Sequence, residues 1–326
     1  MPKNRKTPPA KVLSLFELQA LFPDEQAAVD YLAKILWPDG PVCPYCEKTR
    51  ISPDKRKNYF RCKDCRKVFT IRVGTIFERS HIPLHKWLYA MYMVVTARKG
   101  ISSLQLSKEI GVTQKSAWFL LHRIRAACGN QAEKLLSGIV EVDETYLGGL
   151  EKNKHKNKKL NLGRGTVGKT PVFGMRERVA FGGRVVAQVV NSTDAPTLQG
   201  VIKKTVEAGA GLCTDEHKSY NGLNGKYIHK AVNHSAKQFV DDWAHTNSIE
   251  SVWAVLKRGF YGIYHWFSEK HMPFYIDEFV FRFNEGNCKY DTVDRLRALV
   301  AGTHGKRLTY RMLTRGSANK LFREKT

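Results

Sequence analysis

Ile139-Val140-Glu141-Val142-Asp143-Glu144-Thr145-Tyr146-Leu147-Gly148-Gly149 alternates apolar and acidic or polar side chains and then closes on two glycines. Period-two alternation of this length reads as a β-strand, and the glycines permit the turn that ends it. A new domain begins here, since the stretches before it carry apolar residues at helical spacing. Downstream, Pro171-Val172-Phe173-Gly174 and Arg184 through Val190 resume the strand pattern, Thr197–Ala208 reads as a helix, and Gly211-Leu212-Cys213-Thr214-Asp215 is a short apolar strand ending on a carboxylate. Tyr227 to Val232 gives a further short strand.

A late helix opens at His245-Thr246-Asn247. On it Ile249, Val252, Trp253, Leu256 and Phe260 form a buried stripe, while Asn247, Glu250, Ala254 and Lys257 share a neighbouring face. The small Ala254 leaves room between a carboxylate and a cation. Asp143 on one strand, Asp215 at the tip of another and Glu250 on a helix form the order expected when carboxylates gather two divalent ions for phosphoryl transfer. One ion would activate the attacking oxygen and the other would stabilise the leaving one. Hard oxygen ligands select Mg²⁺ or Mn²⁺ over zinc. Glu144 and Glu216 read as bystanders or supporting groups, because neighbouring strand residues point to opposite faces. The loop over 151–169 carries Lys152, Lys154, Lys156, Lys158, Lys159, Arg164 and Lys169 against Glu151, a single-sign run suited to a phosphate backbone.

Upstream of the opening strand, Asp24 follows Pro23 as a helix cap, and Val29, Leu32, Ala33 and Leu36 carry a short helix to Trp37-Pro38. Cys43-Pro44-Tyr45-Cys46 and Cys62-Lys63-Asp64-Cys65 then flank fifteen residues, 47–61. Paired CxxC knuckles at this spacing predict a zinc ribbon holding one structural ion, and the metal replaces most of a core in so small a module. Cys128, Cys213 and Cys288 read as ordinary core thiols. From Pro83 a packing helix runs towards Gly100. Ser103–Ile110, the Gly111-Val112 turn and a helix from Thr113 then outline a helix-turn-helix. Gln114 and Lys115 would face base edges at its start, and His122 and Arg123 would lie nearer the phosphates.

The bulk properties agree with this outline. The 326 residues, 42% hydrophobic, suffice for about two domains and a small module. Lys and Arg number 54 against 30 Asp and Glu, a formal charge of +24 that favours a nucleic-acid partner. No stretch approaches the roughly 20 apolar residues needed to span a bilayer, and the start of the chain lacks a signal-peptide core, so a cytoplasmic, DNA-associated protein without a membrane partner is expected.

The blocks Val142–Gly149, Arg164–Val172, Thr214-Asp215 and His245–Trp253 with Leu256-Lys257-Arg258 resemble the DDE-class insertion-sequence transposases that carry an N-terminal zinc ribbon, the ISXO-type group. The likeness runs from the ribbon to about Asn284. It implies a mixed α/β protein with an RNase H-like catalytic domain, in which a mixed sheet is flanked by helices. It further implies Mg²⁺-dependent cleavage at transposon ends, strand transfer into target DNA, and a homo-oligomer in the synaptic complex on the bacterial nucleoid. Matched by position, the catalytic acids are Asp143, Asp215 and Glu250, with Asn247 the second choice for the third ligand and Lys257 and Arg258 as DNA contacts. The expected divisions are 1–80 for the first helix and ribbon, 81–130 for the helix-turn-helix region, 138–302 for the catalytic domain and 303–326 for a basic tail. An RNase H-like nuclease or resolvase, and a DNA-binding regulator without catalysis, remain as alternatives.

Overall fold

The computed structural model describes residues 9–129, 134–149, 153, 155–159, 165–179, 183–232 and 243–315. The chain divides into two compact units, one formed by Met1–Asn130 with Glu285–Thr326 and the other by Gln131–Asn284.

In the first unit, α1 (Leu15–Leu21) opens on a reciprocal capping box between Ser14 and Glu17, a signal the sequence reading passed over. α2 (Glu25–Leu36) starts where expected, with Asp24 Oδ1 accepting from the Ala27 amide at 2.9 Å. The ribbon is a three-stranded antiparallel sheet of β1 (Ile51–Pro53), β2 (Phe60–Cys62) and β3 (Val68–Phe69). Its fully buried hydrophobic residues are Cys43, Cys62 and Phe69, with Trp37 packed edge-on against Phe60 and Phe69. α3 (Leu84–Thr96), the packing helix expected after Pro83, buries Leu84, Trp87, Leu88, Met91, Val94 and Val95. α4 (Ser103–Ile110) ends on Gly111 at φ +64, a left-handed conformation that costs glycine little. Thr113 then caps α5 (Gln114–Cys128), accepting from the Ser116 amide at 3.2 Å.

The second unit is built on a five-stranded mixed sheet in the order β6-β5-β4-β7-β8. Its centre, β4 (Ile139–Leu147), pairs antiparallel with β5 (Thr170–Arg178), which pairs with β6 (Val185–Val189). On the other side β7 (Gly211–Asp215) and β8 (Ile228–Val232) run parallel to it. The parallel pair needs a crossover, and α6 (Ala195–Thr205), capped by Asp194, supplies it. Alternation along β4 divides two cores. Val140 and Val142 pack with Leu198 and Ile202 of α6 on one face. Leu147 packs on the other with α7 (Asn247–Gly259) and α8 (Met272–Phe283). This is the mixed sheet with flanking helices expected of the C-terminal half.

After Asn284 the chain returns to the first unit, where the sequence reading had continued the catalytic domain to 302 and then placed a tail. α9 (Thr292–Ala301) buries Leu296, Leu299 and Val300 and packs against α2, α3 and α5. α10 (Tyr310–Arg315) buries Leu313, and Tyr310 packs edge-on against Trp118 and Phe119 of α5. The many cations of this segment mask its apolar residues in the sequence; residues 316–326 lie outside the described ones.

Candidate functional site

Two groups of side chains among the described residues are close enough to hold a metal ion. In the ribbon, Cys43, Cys46, Cys62 and Cys65 place their sulfurs within 4.8 Å of one another. Cys43 Sγ and Cys65 Sγ are 3.6 Å apart, as are Cys46 Sγ and Cys62 Sγ. Tetrahedral zinc with Zn–S near 2.3 Å requires about 3.8 Å between sulfurs, so the four thiols fit that ion. Tyr45 and Tyr59 are exposed beside it, with Lys67 Nζ 4.7 Å from the Tyr45 ring centre and Arg56 4.2 Å from that of Tyr59.

The second group is Asp143, Glu144 and Asp215, again within 4.8 Å. The β4·β7 register aligns Glu141 with Cys213, which carries Asp143 and Asp215 to the same level where the pairing ends. Asp143 faces α7, whose Trp253 Nε1 donates to Oδ2 at 2.9 Å. Asp215 Oδ1 accepts from the His217 amide at 3.0 Å. Glu144 leaves the strand on the opposite side, towards the buried phenol of Tyr220, yet still brings one oxygen to the group. Strand alternation points Glu144 away from Asp143, but its longer side chain reaches the group where the pairing of β4 with β7 has ended.

Burial pushes the Asp143 carboxyl up to about 7, reinforced by the charges of Glu144 and Asp215 and opposed by hydrogen bonds from the Glu144 backbone and Trp253. Burial likewise raises Glu144 to about 7, with Asp215 adding to the effect and Tyr220 opposing it. Burial raises the Tyr220 phenol too, and the facing carboxylates add to that. Glu144 Oε1 is buried without a hydrogen-bond partner among the described residues. The desolvated carboxyls of Asp143 and Glu144, with Asp215 beside them, fit a hard divalent cation, which would supply positive charge.

Glu250 stands outside this group. It is exposed on α7, and its Oε1 accepts from the Thr246 hydroxyl at 2.9 Å. It lies one helical turn before Trp253, the residue that touches Asp143. Asn247, Lys257 and Arg258 are also exposed on α7, with Ala254 between them.

The acid that sequence reading missed altogether is Glu141. It is completely buried, and its Oε2 accepts from the Ser248 and Ile249 amides at 2.8 and 2.9 Å. Its Oε1 accepts from Arg178 Nε at 2.9 Å. It therefore caps α7 from the sheet, satisfying amides that Thr246 leaves without a side-chain cap. In the sequence it is one more acid in an alternating strand, and its partners come from distant segments.

The expected DNA contacts divide. Gln114 and Lys115 are exposed at the start of α5, where Gln114 Nε2 donates to Ser103 Oγ at 2.8 Å and Lys115 Nζ lies 4.8 Å from the Tyr310 ring centre. Arg123 is corrected: it is buried, donates to the Glu78 carbonyl, and stacks its guanidinium on Phe119 and Trp87, so it faces the core of its own unit. His122 is buried as well, 4.5 Å from the Trp118 ring. The helical repeat carries both to the inner face of α5. Lys158 ends a 3-10 turn, Lys156–Lys158, and Lys169 immediately precedes β5 and packs against Gly148. Lys154 and Arg164 lie outside the described residues. Of the scattered thiols, Cys128 and Cys213 are buried, whereas Cys288 is exposed and accepts from Arg98 at 3.1 Å. No helix among the described residues is long and apolar enough to cross a membrane.

Comparison with known proteins adds two family matches. Residues 135–284 match the ISXO2-like transposase domain, and residues 23–68 match the transposase zinc-ribbon domain. The first ends at the boundary of the second compact unit. An uncharacterized protein in transposable element ISH50 of Halobacterium salinarum is 29% identical over 250 residues, covering 73% of this chain and 83% of that one. An uncharacterized transposase-like protein of Haemophilus influenzae is 29% identical over 124 residues, covering 37% of this chain and 96% of that one. Among solved structures, a chain of the simian T-cell lymphotropic virus intasome in complex with PP2A regulatory subunit B56 gamma aligns at 13% identity and a TM-score of 0.26, over 57% of this chain and 66% of that one.

Proposed function

We propose, for a chain that belongs to the ISXO2-like transposases and carries their zinc ribbon, that it binds the ends of an insertion sequence and catalyses metal-dependent DNA cleavage and strand transfer. The observation that carries this reading is the convergence of Asp143, Glu144 and Asp215 at the tip of the central strand pair. Asp143 and Asp215 hold Mg²⁺ or Mn²⁺, two ions in the working complex, and Glu250 joins them from α7 as the third acid, with Asn247 the second choice. The ions supply charge neutralisation and an activated oxygen nucleophile. The chain's own part is to hold the carboxylates together and to lay the DNA backbone over them.

Lys257 and Arg258 on α7 and the 151–169 loop, with Lys154, Lys158, Arg164 and Lys169, contact phosphates near the acids. The ribbon, with one zinc, and the exposed start of α5, with Gln114 and Lys115, bind the terminal repeats. The working form is a homo-oligomer on double-stranded DNA in the bacterial cytoplasm.

The test is a strand-transfer assay on the element's own terminal repeats with Mg²⁺ or Mn²⁺. Asp143→Ala and Asp215→Ala are expected to retain end binding and to lose cleavage and joining together, by on the order of 10³ or more. Full activity in either variant overturns the metal assignment and favours a DNA-binding regulator. Cleavage without joining by the wild type favours a nuclease.

A further inference from the structure

The side of the central sheet that faces α7 is tied to that helix by several polar contacts. Among the cross-strand pairs on this face are Ile139 with Arg178, Glu141 with Arg176, and Asp143 with Gly174. Arg178 Nη2 donates to the His245 carbonyl at 2.9 Å and Nη1 to that of Trp243 at 2.5 Å. Arg176 Nη1 donates to the Ser248 carbonyl at 2.7 Å and to Ser251 Oγ at 3.0 Å. Glu141 accepts from Arg178 and takes the Ser248 and Ile249 amides at the start of α7. Rotation and sliding of α7 would break several of these bonds at once.

One turn further on, the same helix delivers Trp253 to Asp143. The indole crosses over Gly174, where a β-carbon would lie 2.3 Å from Cη2 of the ring. The position directly beside Asp143 in the sheet must therefore have no side chain if the indole N–H is to reach the carboxylate. An interior strand glycine weakens a sheet, and here its lack of a side chain is used for close approach.

We propose that Trp253 is the positioning residue for Asp143: its N–H fixes the rotation of the carboxylate so that the metal meets a preset ligand, with Gly174 as the gap that admits the ring and Glu141 as the anchor that sets the helix. This rests on the metal reading of the acidic group given above. Donors that orient a metal-binding carboxylate change metal affinity by about 10–100-fold when removed. A residue that only filled the core would leave metal affinity unchanged once the protein had folded.

The experiment measures Mn²⁺ binding to the full chain by electron paramagnetic resonance of the free ion, with its zinc retained, for wild type, Asp143→Asn, Trp253→Phe and Gly174→Ala. Cleavage is titrated with Mn²⁺ in parallel. Trp253→Phe keeps an aromatic ring and removes the N–H. It is expected to weaken Mn²⁺ binding by roughly tenfold and to need correspondingly more Mn²⁺ for half-maximal cleavage, with the rate at saturation largely restored. Gly174→Ala keeps the N–H but displaces the ring, and it is expected to weaken binding to a similar degree. Wild-type Mn²⁺ affinity in folded Trp253→Phe overturns the proposal, and so does wild-type affinity in Gly174→Ala should Trp253→Phe fail to fold. Wild type that binds no Mn²⁺ beyond Asp143→Asn instead overturns the underlying metal reading.

Discussion

The ribbon and the acidic group each bring together mutually repelling side chains that could hold a cation, from opposite starting points. In the ribbon the ligands come in two knuckles and supply two of the three buried hydrophobic residues of the core, Cys43 and Cys62 beside Phe69. In the acidic group the ligands stand on a sheet that already has a hydrophobic core on each face. The first site should be unable to stand without its ion. The second should stand without it, at the cost of keeping carboxylates desolvated. If both groups take metal as proposed, a site that needs its ion to fold and a site that folds without one should respond differently to the same treatments.

The largest expected difference is in the response to ligand loss. Structural zinc contributes on the order of 10 kcal/mol to small modules, so Cys43→Ser or Cys62→Ser should release the ion and leave amides over 43–69 unprotected in hydrogen exchange. Amides of β4 should keep their protection in those variants and in Asp143→Ala. Ribbon amides that stay protected after zinc is chelated would erase the contrast.

A smaller effect separates the two acids that compete for the third place. Glu250→Gln should lower cleavage by about 10²-fold or more if the helix supplies the ligand, with Glu144→Gln costing less. The reverse order would place the third ligand on β4, where the free protein already holds Glu144 beside Asp143 and Asp215. Cleavage rates at saturating Mg²⁺ decide it.

The smallest effect is on stability against pH. Asp143 and Glu144 are raised to about 7, above the ordinary carboxylate value near 4. The folded chain thus keeps protons that the unfolded chain has released, and stability linked to them is complete below about pH 4 and lost as pH rises through about 7. Without divalent metal, Tm relative to Asp143→Asn should fall by roughly 2–4 °C between pH 6 and pH 8. Mn²⁺ should restore more at pH 8 than at pH 6, because protons no longer compete with it. Scanning calorimetry at the two pH values checks both signs. A flat difference would mean that Asp143 is not held in desolvated surroundings.

The same contrast explains what could be read from the sequence. Cys43 to Cys65 lie within one short stretch, so spacing alone revealed a ligand set that the folded sulfurs fit. The α4-α5 turn was legible for the same local reason, since Gly111 and Thr113 carry its backbone requirements in their own chemistry. Asp143 and Asp215 could be singled out because each ends or punctuates an apolar strand. Glu141 could not, because nothing in Val140-Glu141-Val142 says whether the acid meets water or the first turn of a helix more than a hundred residues away. Arg123 failed for the converse reason: a cation on a basic helix suggests phosphate until Phe119 and Trp87 are seen beneath it.

The first unit is assembled from the two chain segments that flank the second in sequence. Thr292 donates its amide to the Lys11 carbonyl at 3.0 Å, Arg295 reaches the Val95 carbonyl at 2.7 Å, and Lys306 reaches those of Ala126 and Ala127 at 2.7 and 3.2 Å. During synthesis, then, the helices over 84–128 emerge long before the strand of chain that completes their packing. At ribosomal rates of about 5–20 residues per second, the interval is roughly 8–40 seconds, ample for the sheet unit to fold first. Whatever α3 and α5 will later bury against α9 and α10 must meanwhile be tolerated by the nascent chain or shielded by a chaperone.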